Sequence, residues 1–140
     1  MKSWKFFDDE EKKQLNIESV LRYALEAKVS DVHIAVGKPI TVRIEGILIK
    51  IDHEPSLSQE HMDQVKNKIL QKHPDILEKL EKSHDVDFGY MTEDGVSFRV
   101  NGAWALENLN FTFRRIEQNA KTIQELELPQ AVDRFLAAKQ

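Results

Sequence analysis

The stretch Val96–Arg114, VSFRVNGAWALENLNFTFR, decides the fold. Successive side chains of a strand leave opposite faces, so apolar residues at every second position mark a half-buried strand. Val96, Phe98, Val100, Trp104 and Leu106 share one parity, and Ser97, Arg99, Asn101 and Ala103 share the other. Beyond a turn near Glu107-Asn108 the alternation resumes. Leu109, Phe111 and Phe113 are set against Asn110, Thr112 and Arg114. Two alternating runs around a short turn predict an antiparallel hairpin with one buried face.

The same period runs upstream. Val86, Phe88 and Tyr90 alternate with Asp85, Asp87 and Gly89, and Glu93-Asp94-Gly95 supplies a hairpin turn. Earlier, Val32, Ile34 and Val36 alternate with Asp31, His33 and Ala35. Gly37-Lys38-Pro39 turns the chain, and Ile40, Val42 and Ile44 then alternate with Thr41, Arg43 and Glu45. Glu45-Gly46 is a tight reversal into a third strand, Ile47–Ile51.

Helical spacing separates these groups. Asn16 caps a helix to about Lys28, with Ile17, Val20, Leu21, Ala24 and Leu25 as its apolar stripe. Ser58 caps a second helix from Gln59 to about Lys72, with Met62, Val65 and Ile69 inward. Pro74 forces a kink or restart before a short helix carrying Ile76, Leu77 and Leu80. Near the end, Thr122-Ile123-Gln124-Glu125 reads as a capping box, and Pro129 suits the first turn of a helix Pro129–Lys139.

The order predicts an α+β domain: an antiparallel sheet of about six strands with helices packed on one face, compatible with a PAS-like fold. Residues 1–15 read as a charged arm whose Trp4, Phe6 and Phe7 dock on the domain. Residues 16–120 form the domain proper, and residues 121–140 a helical linker.

Composition sets the class. One domain of 140 residues can bury a real core, and 41% hydrophobic with 31% charged residues suits a globular chain. A formal net charge of −4 argues against a general affinity for nucleic acid or anionic membranes. Without cysteine there are no disulfides and no thiolate metal sites. No apolar run approaches the roughly 20 residues of a membrane span, and the first residues lack the apolar centre of a signal peptide. The expected location is the cytoplasm.

Catalytic signatures are sparse. None of the five glycines begins a G-x-x-x-x-G-K-[ST] phosphate loop or builds a G-x-G-x-x-G turn. The five histidines show no i, i+4 metal pair. His33 leaves the polar side of its strand and reads as a hydrogen-bonded surface or interface residue. Asp85, Asp87, Glu93 and Asp94 do not read as acid–base catalysts: two lie at a turn, and the other two project from a strand as solvated or ion-paired groups. Arg99 and Arg114 are more informative. A hairpin closed at Glu107-Asn108 sets Asn101 opposite Arg114 and Arg99 diagonal to it, so both guanidinium groups leave one face. Such forks suit phosphate oxygens. In the structural alternative, Asp85 or Asp87 neutralises them.

Several motifs resemble one family. Ser30-Asp31-Val32-His33-Ile34, Gly37, Pro39 and Val42-Arg43-Ile44-Glu45-Gly46 are similar to the S-D-L-H-I…G-x-P-P…R-I-d-G opening of the PilT family of pilus retraction ATPases. Leu57-Ser58-Gln59-Glu60 resembles its L-S-x-E helix start. Asp87-Phe88-Gly89-Tyr90, Phe98-Arg99-Val100-Asn101 and Phe113-Arg114-Arg115-Ile116 resemble its D-F-x-y…R-F-R-V-N…F-R-x-I series. Leu126-Glu127-Leu128-Pro129 resembles the L-G-L-P preceding the ATPase core. Ile40 stands for the second proline of the pair, and Glu127 for the glycine of L-G-L-P.

The resemblance implies the PAS-like amino-terminal domain of a cytoplasmic hexameric motor for type IV pili, twitching motility or secretion. By itself this domain carries no catalytic residues, metal or cofactor. It packs on the neighbouring subunit's ATPase core, where Arg99 and Arg114 help hold ATP, with Mg supplied in the full-length protein. Contact with the pilus inner-membrane platform is indirect, with no membrane insertion and no nucleic acid. On this reading a phosphate loop follows the chain. A stand-alone PAS-like sensor or adaptor is the competing reading.

Overall fold

A computed structural model describes residues 4–116. The predicted capping box at Thr122–Glu125, the helix Pro129–Lys139 and the L-G-L-P-like Leu126–Pro129 lie outside the described residues.

The chain forms α1 (Ile17–Glu26), β1 (Asp31–Ala35), β2 (Thr41–Ile44) and β3 (Ile47–Lys50). Then come α2 (Gln59–Leu70), α3 (Pro74–Ser83), β4 (Asp85–Met91), β5 (Ser97–Ala105) and β6 (Asn108–Arg115). The six strands make one antiparallel sheet in the order β3-β2-β1-β6-β5-β4. This is the expected α+β architecture. The first and last strand groups join through β1 and β6, so the latest strand pairs with the earliest.

Local chemistry starts and stops the helices. The Asn16 side chain accepts from the Ser19 amide and caps α1. Ser58 caps α2 through the His61 amide, and the His61 ring accepts from the Ser58 amide in return, a capping box closed by histidine. Pro74 occupies the first turn of α3, where its missing N–H is harmless, so the helix restarts there.

One sheet face carries the core. Val32, Ile34, Val42, Phe98, Val100, Leu109, Phe111 and Phe113 are buried there with Val20, Leu21, Met62, Ile69 and Leu80 of the helices. The arm joins the same core. Phe6 and Phe7 are buried, and Trp4 and Phe6 meet the Tyr23 ring edge-on. Burying a side chain of this size contributes about 1.5–3 kcal/mol, which anchors the arm as expected.

Three expectations need correction. Leu25 lies at the margin of the α1 stripe and is exposed. The β5–β6 turn sits one residue earlier than expected, at Leu106-Glu107, closed by the Ala105–Asn108 pair. Both turn residues have positive φ, 54° and 68°, the left-handed geometry of a two-residue hairpin. Leu106 therefore caps the turn and is 94% exposed instead of facing the core, and Trp104 is only partly covered. The apolar edge strand β3 is exposed along its whole length, with no further strand or helix over it among the described residues.

Candidate functional site

Antiparallel partners leave the same face of a sheet, so the strand registers map the face away from the core residue by residue. One row runs Leu48, Arg43, Asp31, Arg114, Arg99, Gly89 from β3 to β4. The next runs Lys50, Thr41, His33, Thr112, Asn101, Asp87. A third sets Ala35, Asn110, Ala103 and Asp85 side by side. The core face of the same strands is hydrocarbon, whereas this face is polar.

The first row holds three arginines and one carboxylate. Asp31 is buried between two of them. Arg114 Nε donates to Asp31 Oδ1 at 3.0 Å, and Arg43 Nε lies 3.5 Å from Oδ2. The hydrogen bond that Arg114 donates to Asp31, reinforced by the carboxylate's charge, raises the Arg114 pKa above its ordinary value. Arg43 is also tied down through Nη1, which donates to the Gly46 carbonyl at 3.0 Å.

Arg99 stands directly opposite Arg114. The sequence reading sets Asn101 opposite Arg114, with Arg99 diagonal. Moving the turn by one residue shifts each partner by two, which preserves the faces and brings the two arginines closer. Among the described residues no carboxylate pairs with Arg99. Gly89, its other cross-strand neighbour, has no side chain and leaves open space beside it.

The expected alternative partners are elsewhere. Asp85 and Asp87 both accept from the Asn101 side-chain amide, at 2.9 and 3.2 Å. Asp31 takes their place beside Arg114. Sequence reasoning missed this because it needs β1 beside β6, a long-range pairing that no local pattern announces. The two acids placed at the turn are ion-paired: Asp94 with Arg22 at 2.6 Å and Glu93 with Lys68 at 2.6 Å.

His33 lies in the second row, on the polar face as expected. Its Nδ1 is 3.4 Å from the Thr112 hydroxyl, and its Nε2 is buried with no partner among the described residues. Burial lowers its pKa below 6.5; Asp31 pulls the other way, while Arg43 and Arg114 add to the lowering. Among the described residues no cluster of histidine and carboxylate could hold a metal ion, and no helix is long and apolar enough to cross a membrane.

No family model matches the chain. Over 127 residues it is 26% identical to the type IV pilus ATPase PilU of Pseudomonas aeruginosa, an alignment covering 89% of this chain and 32% of PilU. The solved structure of the pilus retraction motor PilT with bound ADP matches 82% of this chain and 33% of its own, at a TM-score of 0.66 and 26% identity. The Legionella pneumophila ATPase DotB matches 72% of this chain and 28% of its own, at a TM-score of 0.59 and 25% identity. The chain thus spans about a third of the length of these relatives. Homology to PilU and the shared fold with PilT bear out the resemblance carried by the motifs.

Proposed function

We propose that this chain is the amino-terminal, PAS-like module of a type IV pilus or secretion motor ATPase, contributing position and charge rather than catalysis. In the assembled hexamer it packs on the neighbouring subunit's ATPase core. Arg99 and Arg114 approach the nucleotide phosphates as that site closes, with Mg and the phosphate cradle supplied by the core. The assembly works in the cytoplasm and meets the pilus platform in the inner membrane only indirectly.

The observation that carries this reading is the Arg99–Arg114 pair on the open face, with no carboxylate on Arg99 among the described residues. Like charges directly opposite each other cost a sheet stability, so an incoming anion gains from both. Arginine forks match phosphate oxygens, and fixed positive charge matters most where phosphate charge develops out of water. The similarity to PilU and PilT supports the family, and its span of about a third supports a module of a longer machine.

The isolated chain tests the non-catalytic part directly. With ATP and magnesium it should show no turnover above buffer. Steady turnover abolished by a point substitution within the chain would instead make it an enzyme in its own right.

A further inference from the structure

The open face holds a second cationic feature, two strands from Arg99. A groove of about 380 Å³ lies over β1, β2, β3 and β6. Its polar lining includes His33, Lys38, Arg43, Lys50, Asn110 and Thr112, and Leu48 also lines it. Three cations and no carboxylate line it, on a chain whose formal net charge is −4. Neither the Lys38 nor the Lys50 ammonium has a partner among the described residues. Arg43 sits at the rim, turned toward Asp31 and the Gly46 carbonyl.

The orphan in this groove is a ring nitrogen. If the Thr112 hydroxyl donates to Nδ1, the proton of the neutral imidazole sits on Nε2. Nε2–H is then a buried donor with no acceptor among the described residues, whereas buried polar groups ordinarily have a partner. The acceptor it lacks must bring oxygen lone pairs, and the two lysines favour one that brings negative charge. The half-exposed Asn110 amide adds a further donor on the same lining.

We propose that this groove binds a phosphate-type oxyanion, with Lys38 and Lys50 supplying charge and His33 Nε2–H an oriented hydrogen bond. The site is distinct from the Arg99–Arg114 pair and does not depend on the motor reading. A phosphate presents several acceptor oxygens to several donors, whereas a carboxylate presents only two. The phosphate could be free or carried on a nucleotide, and the groove chemistry is the same for both.

The test is an NMR titration of the full 140-residue chain in phosphate-free buffer, with matched chloride as control. Inorganic phosphate should shift the His33 ring and the Asn110 and Thr112 amides saturably. The His33 pKa should rise on saturation, because a bound anion favours the imidazolium. Lys38→Gln with Lys50→Gln should weaken binding at least tenfold. Both side chains are exposed, so the fold should survive, and the remaining amide spectrum checks it. If ADP produces the same lysine-dependent shifts, the phosphate is one that a nucleotide can carry; if only inorganic phosphate does, it is free. Either result supports the site. Chloride-like linear shifts, equal saturation by acetate, or shifts centred on Arg99 and Arg114 and indifferent to the lysine substitutions would overturn it.

Discussion

Arg99 and Arg114 face each other across the β5–β6 ladder, yet among the described residues only Arg114 is held by a carboxylate, the buried Asp31 of β1. One arginine is therefore aimed and the other left available. Asp31 also faces Arg43, so a single carboxylate orders two cations from strands that flank it on both sides.

Asp31→Asn should test that ordering. It keeps the shape and removes the negative charge, so the Arg114 hydrogen bond goes to a neutral amide, the ion contact with Arg43 is lost, and the row's three arginines have no acid among them. The expected cost is about 1–2 kcal/mol, read as a lowered Tm. A Tm equal to that of the parent would show that Asp31 does not organise the row.

The glycines of β4 and β5 should separate cleanly. A Cβ on Gly102 would lie 2.8 Å from Phe111 Cε1 and 3.1 Å from Cδ1, inside a core where Phe111 is fully buried. Gly102→Ala should therefore cost about 1–3 kcal/mol through displaced packing. A Cβ on Gly89 meets nothing within 4 Å, so Gly89→Ala should be neutral or stabilise by up to about 1 kcal/mol. Urea denaturation of both variants measures the contrast, and equal effects would contradict the packing described.

His33 sets an acid-side dependence. Its folded pKa lies below 6.5, so between the two values the unfolded chain binds more protons and stability falls as the pH falls. Burial lowers its pKa most, Asp31 favours its charge, and Arg43 and Arg114 oppose it; Lys38 and Lys50 line the same groove. Denaturant midpoints in phosphate-free buffer from pH 6.5 down to about pH 5 should fall more steeply for the parent than for His33→Gln. Parallel curves would mean that His33 is not held neutral by the fold.

Much of this was legible in the sequence because parity is local. Alternation alone places Arg99, Asn101, Thr112 and Arg114 on the polar face, and shifting the turn by one residue leaves parity intact. Asn16 and Ser58 announce their helices by cap chemistry. The Asp31 clamp was not legible, since it rests on β1 pairing with β6 across 83 positions of sequence. The groove was hidden for the same reason, because Lys38, Lys50 and Asn110 come together only once the two strand groups share one sheet. Leu106 was misplaced because a leucine at positive φ breaks the usual turn preference for asparagine or glycine.

The central claim is that Arg99 and Arg114 act on a nucleotide and not on the fold. It is tested most directly by ATP turnover of the full-length motor bearing Arg99→Ala or Arg114→Ala, beside the Tm of the same variants. Arg99 has no partner among the described residues, and Arg43 remains beside Asp31 when Arg114 is lost. Both variants should therefore melt close to the parent while turnover falls at least tenfold, in keeping with arginines aimed at phosphate charge. Lysine at either position should restore little, since it keeps the charge but not the fork. Turnover close to the parent in both alanine variants would contradict the account and leave the pair as surface charge.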